Sequence, residues 1–156
     1  MIFLNYSFVR NNSYLPLLKL TLTLHCMQLT QIKPSEEQIA QLMAYPKDTP
    51  VVMVNILKFK ATTENGNETG QEAYTRYYKN TQAFIGKAKA KLIWKGAVAT
   101  TVVGDSDDQP DMIFLVEYPS VNHFLGVISS PEYREIANDR TIALEYGGLI
   151  ACQTID

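Results

Sequence analysis

The chain has 156 residues, 46% of them hydrophobic, which suffices for the core of one domain and is far from membrane-protein composition. With 14 Lys and Arg against 16 Asp and Glu, the formal charge is -2, and the basic excess that tracking a phosphate backbone requires is missing. This argues against nucleic acid as a partner. The two cysteines, Cys26 and Cys152, make neither a disulfide framework nor a CxxC pair and suit a reducing cytoplasm.

Residues 1–26 read differently from the remainder. Their apolar run, Leu15 to Leu24, is interrupted by Pro16 and Lys19 and falls short of the roughly 20 apolar residues that span a bilayer. A secretory signal would need a small-x-small cleavage site, and Leu24 and His25 before Cys26 spoil it. We therefore expect an N-terminal extension outside the fold, followed by a single domain over 27–156 that neither crosses nor coats a membrane.

From Met27 the pattern becomes orderly. Ser35 and Gln38 have the spacing of a capping box and predict a short helix to about Ala44. The Tyr45–Pro50 segment breaks it, and PVVMVNILKFK then predicts a strand over Val51 to Lys60. Met53, Leu57 and Phe59 face one way in this strand, and Val52, Val54 and Ile56 the other. A polar loop from Ala61 to Gly70 precedes a helix over Gln71 to Ala88, whose buried stripe is Tyr74, Tyr77, Tyr78, Thr81, Phe84, Ile85 and Ala88. Strands are expected over Lys91 to Val103 and Met112 to Tyr118, joined by the acidic turn Gly104 to Pro110. Ser120 is placed to cap a helix through Ile128, and Ser130-Pro131 to start another through Leu144. Gly147-Gly148 would end that helix, and Leu149 to Thr154 would form the last strand.

The order strand, helix, strand, strand, helix, strand is the split βαβ pattern of an α+β, ferredoxin-like fold with a four-stranded antiparallel sheet. Both main helices of that topology cover one sheet face, yet the strands carry apolar residues on both. A second copy of the sheet is the simplest cover, since burial stabilises by roughly 25 cal/mol per Å² of apolar area.

Several dispersed segments, VNILKFK at Val54 to Lys60, GQEAYTRY at Gly70 to Tyr77, LIWKG at Leu92 to Gly96, VEYPS at Val116 to Ser120, and SSPEY with Arg140 beyond it, carry a resemblance. The chain resembles small bacterial proteins of a domain-of-unknown-function family within the dimeric α+β barrel superfamily. That resemblance implies two four-stranded sheets facing one another in a homodimer. Related branches include cofactor-free monooxygenases, haem-handling enzymes, small-molecule isomerases and proteins without known activity. The chain departs from the family pattern at Lys89-Ala90, where Gly-Gly is expected, at Pro110, where Trp is expected, and at Asp139, where His is expected.

Asn55 sits among apolar neighbours, where an unpartnered amide costs on the order of 1–3 kcal/mol. It reads either as a polar anchor in a small-molecule pocket or as a satisfied sheet or dimer-contact residue. Lys58 and Glu117, late in their strands, read as an acid/base couple inside the barrel or as solvated strand ends. Trp94 and the cluster Tyr74, Tyr77 and Tyr78 could wall an aromatic pocket, with core packing as the alternative for the helix tyrosines. Tyr133 and Arg140 share a helix face, and Arg140 could bind a ligand carboxylate or make a structural ion pair with Glu135, Glu145 or a carboxylate from the other subunit. In the pocket reading, Asn55, Trp94 and Glu117 would line the barrel interior from three strands. His123 has no evident ligand partner, so neither haem nor another metal or cofactor is expected.

The function that follows is a cytoplasmic, homodimeric small-molecule-binding protein, with cofactor-independent oxygenase or isomerase chemistry open to it. A non-catalytic association or sensing module is the alternative. Because residues 1–26 contribute no motif to the sheet, a chain begun at Met27 should melt within about 2 °C of the full chain and keep its oligomeric state. Calorimetry and light scattering on the two forms check this.

Overall fold

In the computed structural model of the chain, which describes residues 32–104 and 108–155, helix α1 (Glu36–Met43) begins at the expected capping box. The Gln38 N–H donates to Ser35 Oγ at 3.2 Å and the Ser35 N–H to Gln38 Oε1 at 2.8 Å. Strand β1 (Val51–Phe59), helix α2 (Gly70–Lys87), strands β2 (Lys91–Ala97) and β3 (Met112–Tyr118), helices α3 (Val121–Ser129) and α4 (Pro131–Ala143), and strand β4 (Leu144–Cys152) follow. The N-terminal extension with His25 and Cys26 lies outside the described residues, as do Asp105, Ser106 and Asp107 of the acidic turn.

The strands form one antiparallel sheet in the order β2-β3-β1-β4. Register sorts the side chains into two sets, because directly paired residues share a face. Met53 lies between Val116 and Ala151, and Asn55 between Phe114 and Leu149; this face meets the helices. Val51, Met53, Leu57, Phe114, Val116 and Tyr118 are buried there against Tyr74, Tyr77 and Phe124. The opposite face carries Val52, Val54 and Ile56 beside Ile113, Leu115 and Ile150, with Trp94 paired to Leu115. No helix among the described residues covers it, and Trp94 is 53% exposed and Ile150 38%.

Three details differ from the sequence expectation. Strand β2 stops at Ala97, because its only partner, β3, begins at Met112 opposite that residue; Val102 and Val103 beyond it are exposed. Helix α4 ends at Ala143 and β4 starts at the next residue, so Gly147 and Gly148 lie inside the strand instead of ending the helix. Ser120 flanks α3 without capping it through its side chain; its hydroxyl instead meets His123 Nδ1 at 2.9 Å.

Two backbone positions depend on residue type. At Gly70 three chain segments converge: the Gly70 N–H donates to the Lys60 carbonyl at 2.9 Å, and the Lys60 N–H to the Ala143 carbonyl at 3.0 Å. A Cβ on Gly70 would lie 2.2 Å from the Ala143 oxygen and 2.6 Å from the Lys60 oxygen, both backbone atoms. Lys89, where the family pattern has glycine, has φ of 53°. It occupies the left-handed position of a Schellman motif, with the Lys89 N–H bonded to the Gly86 carbonyl and the Ala90 N–H to the Ile85 carbonyl.

Substitutions at these two sites should shift stability in opposite directions. Gly70→Ala should cost about 3 kcal/mol, since neither backbone neighbour can yield without moving an element. Lys89→Gly should gain about 1 kcal/mol by relieving the left-handed conformation. Urea denaturation of both variants measures the two effects.

Candidate functional site

A cleft of about 980 Å³ separates the helix face of the sheet from the helices. Met53, Phe114 and Val116 form its floor, Tyr74, Tyr77 and Tyr133 one wall, and α1 with Tyr45 borders it through Ile39 and Leu42. The tyrosines belong to a continuous aromatic series, with ring centroids 5.4 Å apart for Phe59 and Tyr74, 5.3 Å for Tyr74 and Tyr77, and 6.3 Å for Tyr77 and Tyr133. The helical spacing that predicts a buried stripe on α2 thus also builds the wall of the cleft.

Polar groups in the cleft are few and differ in what they are bonded to. Tyr77 and Tyr133 share a hydroxyl–hydroxyl hydrogen bond of 2.6 Å. The Tyr74 hydroxyl, on a residue only 5% exposed, has no hydrogen-bond partner among the described residues. Burial pushes the phenols of Tyr74 and Tyr77 well above their ordinary value, while the charge of Arg140 opposes the shift; both remain neutral donors at physiological pH. Asn55 donates through Nδ2 to the Met53 carbonyl at 3.2 Å. Its Oδ1 accepts no hydrogen bond from the described residues.

Arg140 reaches the cleft from the last turn of α4. Its Nη1 donates to the Ile32 carbonyl at 2.7 Å. Its Nη2 lies against Gly147, where a Cβ would come within 2.7 Å of that nitrogen and 2.8 Å of Leu144 Cδ1. Glycine at 147 is thus what lets the guanidinium lie along β4. None of the ion pairs among the described residues involves Arg140, so neither Glu135 nor Glu145 is its partner. The adjacent Asp139 turns away and is held by Arg76, at 2.9 Å to Nη2 and 3.0 Å to Nε, while Arg76 also grips Glu68 at 2.6 and 2.9 Å. That bond to Arg76 holds the Glu68 carboxyl below its usual range.

Of the residues singled out in the sequence, Asn55, Tyr74, Tyr133 and Arg140 line this one cleft. Trp94, Lys58 and Glu117 lie on the other sheet face, so the expected convergence of Asn55, Trp94 and Glu117 does not occur within a chain. An extra residue in β2 between Leu92 and Trp94, opposite β3, turns the indole to that side. Lys58 and Glu117 do not meet either: Glu117 pairs with Val52, six residues from Lys58, which is roughly 20 Å along a strand. Lys58 Nζ instead donates to the Gln109 carbonyl at 2.6 Å, and Glu117 stands opposite Lys91. Sequence reasoning missed the part of Gly147; the signal available was a glycine pair seven residues after an arginine. Among the described residues no group of three or more His, Cys, Asp and Glu side chains could hold a metal ion.

An antiparallel sheet in this order, with its helices on one face, is the ferredoxin-like architecture of the dimeric α+β barrels. A protein of unknown function from Rhodopseudomonas palustris is 30% identical and superposes with a TM-score of 0.76, over 81% of this chain and 98% of that one. Its methylated form superposes with a TM-score of 0.77 at 30% identity, over 82% and 97% of the two chains. The chain belongs to the DUF1330 family, a domain of unknown function whose family model matches residues 65–152. The hydroxynitrile lyase of Passiflora edulis, 16% identical with a TM-score of 0.52 over 70% of this chain and 96% of that one, shares the fold. No curated protein matches the sequence.

The two phenols of α2 should respond differently to loss of the hydroxyl. Tyr77→Phe removes a made hydrogen bond and should cost about 0.5–1.5 kcal/mol, whereas Tyr74→Phe should change stability by less than about 0.5 kcal/mol. Chemical denaturation compares them directly.

Proposed function

We propose that the protein binds a small organic molecule in the cleft between sheet and helices, and does so as a cytoplasmic homodimer joined through the opposite sheet face. The observation that carries this reading is the Tyr74 hydroxyl, which has no partner among the described residues and opens on a cleft of about 980 Å³. Ligand sites are mainly apolar concavities with a few placed polar groups, and a hydroxyl that opens on the cleft is free to bond a polar group that a ligand brings. A module serving only association would gain nothing from such an opening. The second face supports the dimer: Val52, Val54, Ile56, Ile113, Leu115 and Ile150 form an apolar surface of a kind that a second copy would remove from water.

Binding is better supported than catalysis. Cofactor-independent oxygenation or isomerisation that begins with proton removal needs a base at the ligand, and the described lining has no carboxylate or imidazole. Burial keeps Tyr74 and Tyr77 protonated, which suits them to donate hydrogen bonds. If the cleft does perform chemistry, polarisation of a bound oxygen by these donors is the part its residues can supply.

Two measurements test the two halves of the proposal. Light scattering at micromolar concentration should give twice the chain mass, and Leu115→Glu on the uncovered face should give a monomer; a monomeric parent protein defeats the dimer. In a thermal-shift screen of small aromatic compounds, binders should raise the melting temperature. Asn55→Ala should then weaken their binding by about 0.5–1.5 kcal/mol with little loss of stability. If no compound stabilises the protein and Asn55→Ala mainly destabilises it, the binding reading fails. Trp94 emission should follow dimerisation and not ligand, because the indole lies on the other face.

A further inference from the structure

The lining of the cleft is electrostatically one-sided. Among its described residues are three cations, Lys33, Arg134 and Arg140, and no aspartate, glutamate or histidine. This is unusual for a chain whose formal charge is -2. The acids nearest in sequence to Arg140 are engaged elsewhere or exposed: Asp139 is bonded to Arg76, and Glu145 is exposed.

Arg140 is also held in place. One of its five N–H groups donates to the Ile32 carbonyl, and its far nitrogen rests against Gly147, which fixes the plane of the guanidinium before anything binds. The remaining donors have no partner among the described residues. A guanidinium fixed in this way, partly withdrawn from water and without a counter-ion among the described residues, presents a fork that matches a carboxylate. Beyond it the floor is apolar, with Met53, Phe114 and Val116 buried beneath the aromatic wall.

From this arrangement we infer that the ligand is a small carboxylate on an apolar, ring-sized body, with its anion seated on Arg140 and its body laid along Met53, Phe114 and Val116. The inference rests on the binding role proposed above for the cleft. Tyr74 adds a neutral donor on the same side, and Lys33 and Arg134 at the exposed rim raise the local concentration of anions. A neutral analogue of the same shape leaves the half-buried Arg140 without a counter-charge among the described residues, which gives the site a preference for the acid.

The test pairs each acid with its own amide. Benzoate, phenylacetate, 3-phenylpropionate and 1-naphthylacetate are titrated calorimetrically into the full-length protein alongside the corresponding primary amides. The best acid should bind about ten- to a hundred-fold more tightly than its amide, the range expected of a charge-assisted hydrogen bond. Arg140→Gln should abolish that preference, the acid losing affinity at least ten-fold more than its amide. Since this variant also loses the bond to Ile32, Arg140→Lys serves as a second probe; it should retain part of the preference, because it keeps the charge and loses the fork. Inorganic phosphate should not compete at millimolar concentration, having no apolar body. If amides bind as well as acids, the carboxylate inference is overturned and the binding reading stands. If the preference survives in Arg140→Gln, the anion sits elsewhere and the assignment of Arg140 falls. If neither series binds, both readings fall.

Discussion

The contact on which the arrangement depends is the meeting of three backbones at Gly70. There the end of β1, the start of α2 and the junction of α4 with β4 approach so closely that no side chain fits between them. The hydrogen bonds from Gly70 to Lys60 and from Lys60 to Ala143 pin the two long helices to one end of the sheet. Tyr74 stands one turn after this junction and Arg140 one turn before it, so the same contact brings a phenol from α2 and a guanidinium from α4 to one side of the cleft. The aromatic series from Phe59 through Tyr74 and Tyr77 to Tyr133 then carries the packing away from the junction along the helices.

Strand β1 serves two purposes by virtue of its twofold side-chain period. Met53, Asn55 and Leu57 face the helices and the cleft, whereas Val52, Val54 and Ile56 face away. Changes to the cleft and to the opposite face can thus be made on alternate residues of one strand. The restriction is that a slip of one residue in register would exchange the two sets and place the amide of Asn55 among aliphatic side chains. Antiparallel pairing to β3 on one side and β4 on the other makes β1, like β3, an interior strand whose register is set from both sides.

Much of this was legible in the sequence because it is local. The Ser35–Gln38 capping box, the alternation in Val51–Phe59 and the tyrosine spacing on α2 each follow from residues within a turn or two of one another, and element order then gave the ferredoxin-like topology. What was not legible depends on register or on distant segments. The extra residue in β2 that turns Trp94 to the uncovered face appears only once β2 is aligned with β3. The separation of Lys58 from Glu117 is likewise a property of strand pairing. Gly147 looked like a helix terminator because helices commonly end in glycine; its place is set instead by a side chain that arrives from the preceding helix. Arg140 was identifiable as a candidate by type, but its lack of a carboxylate partner follows from Asp139 being committed to Arg76.

Helix α1 lies along the mouth of the cleft yet buries none of its own residues, and the segment leading into it is tied to α4 through the Ile32 carbonyl and Arg140. Displacing it would sacrifice half-buried contacts and leave the sheet, the aromatic series and the Gly70 junction intact. Access to the interior is therefore a low-energy local fluctuation, separable from global unfolding, and its amides should exchange with solvent far sooner than those of β1. How α1 is held then sets how readily the cleft opens, while the floor and walls beneath set its shape.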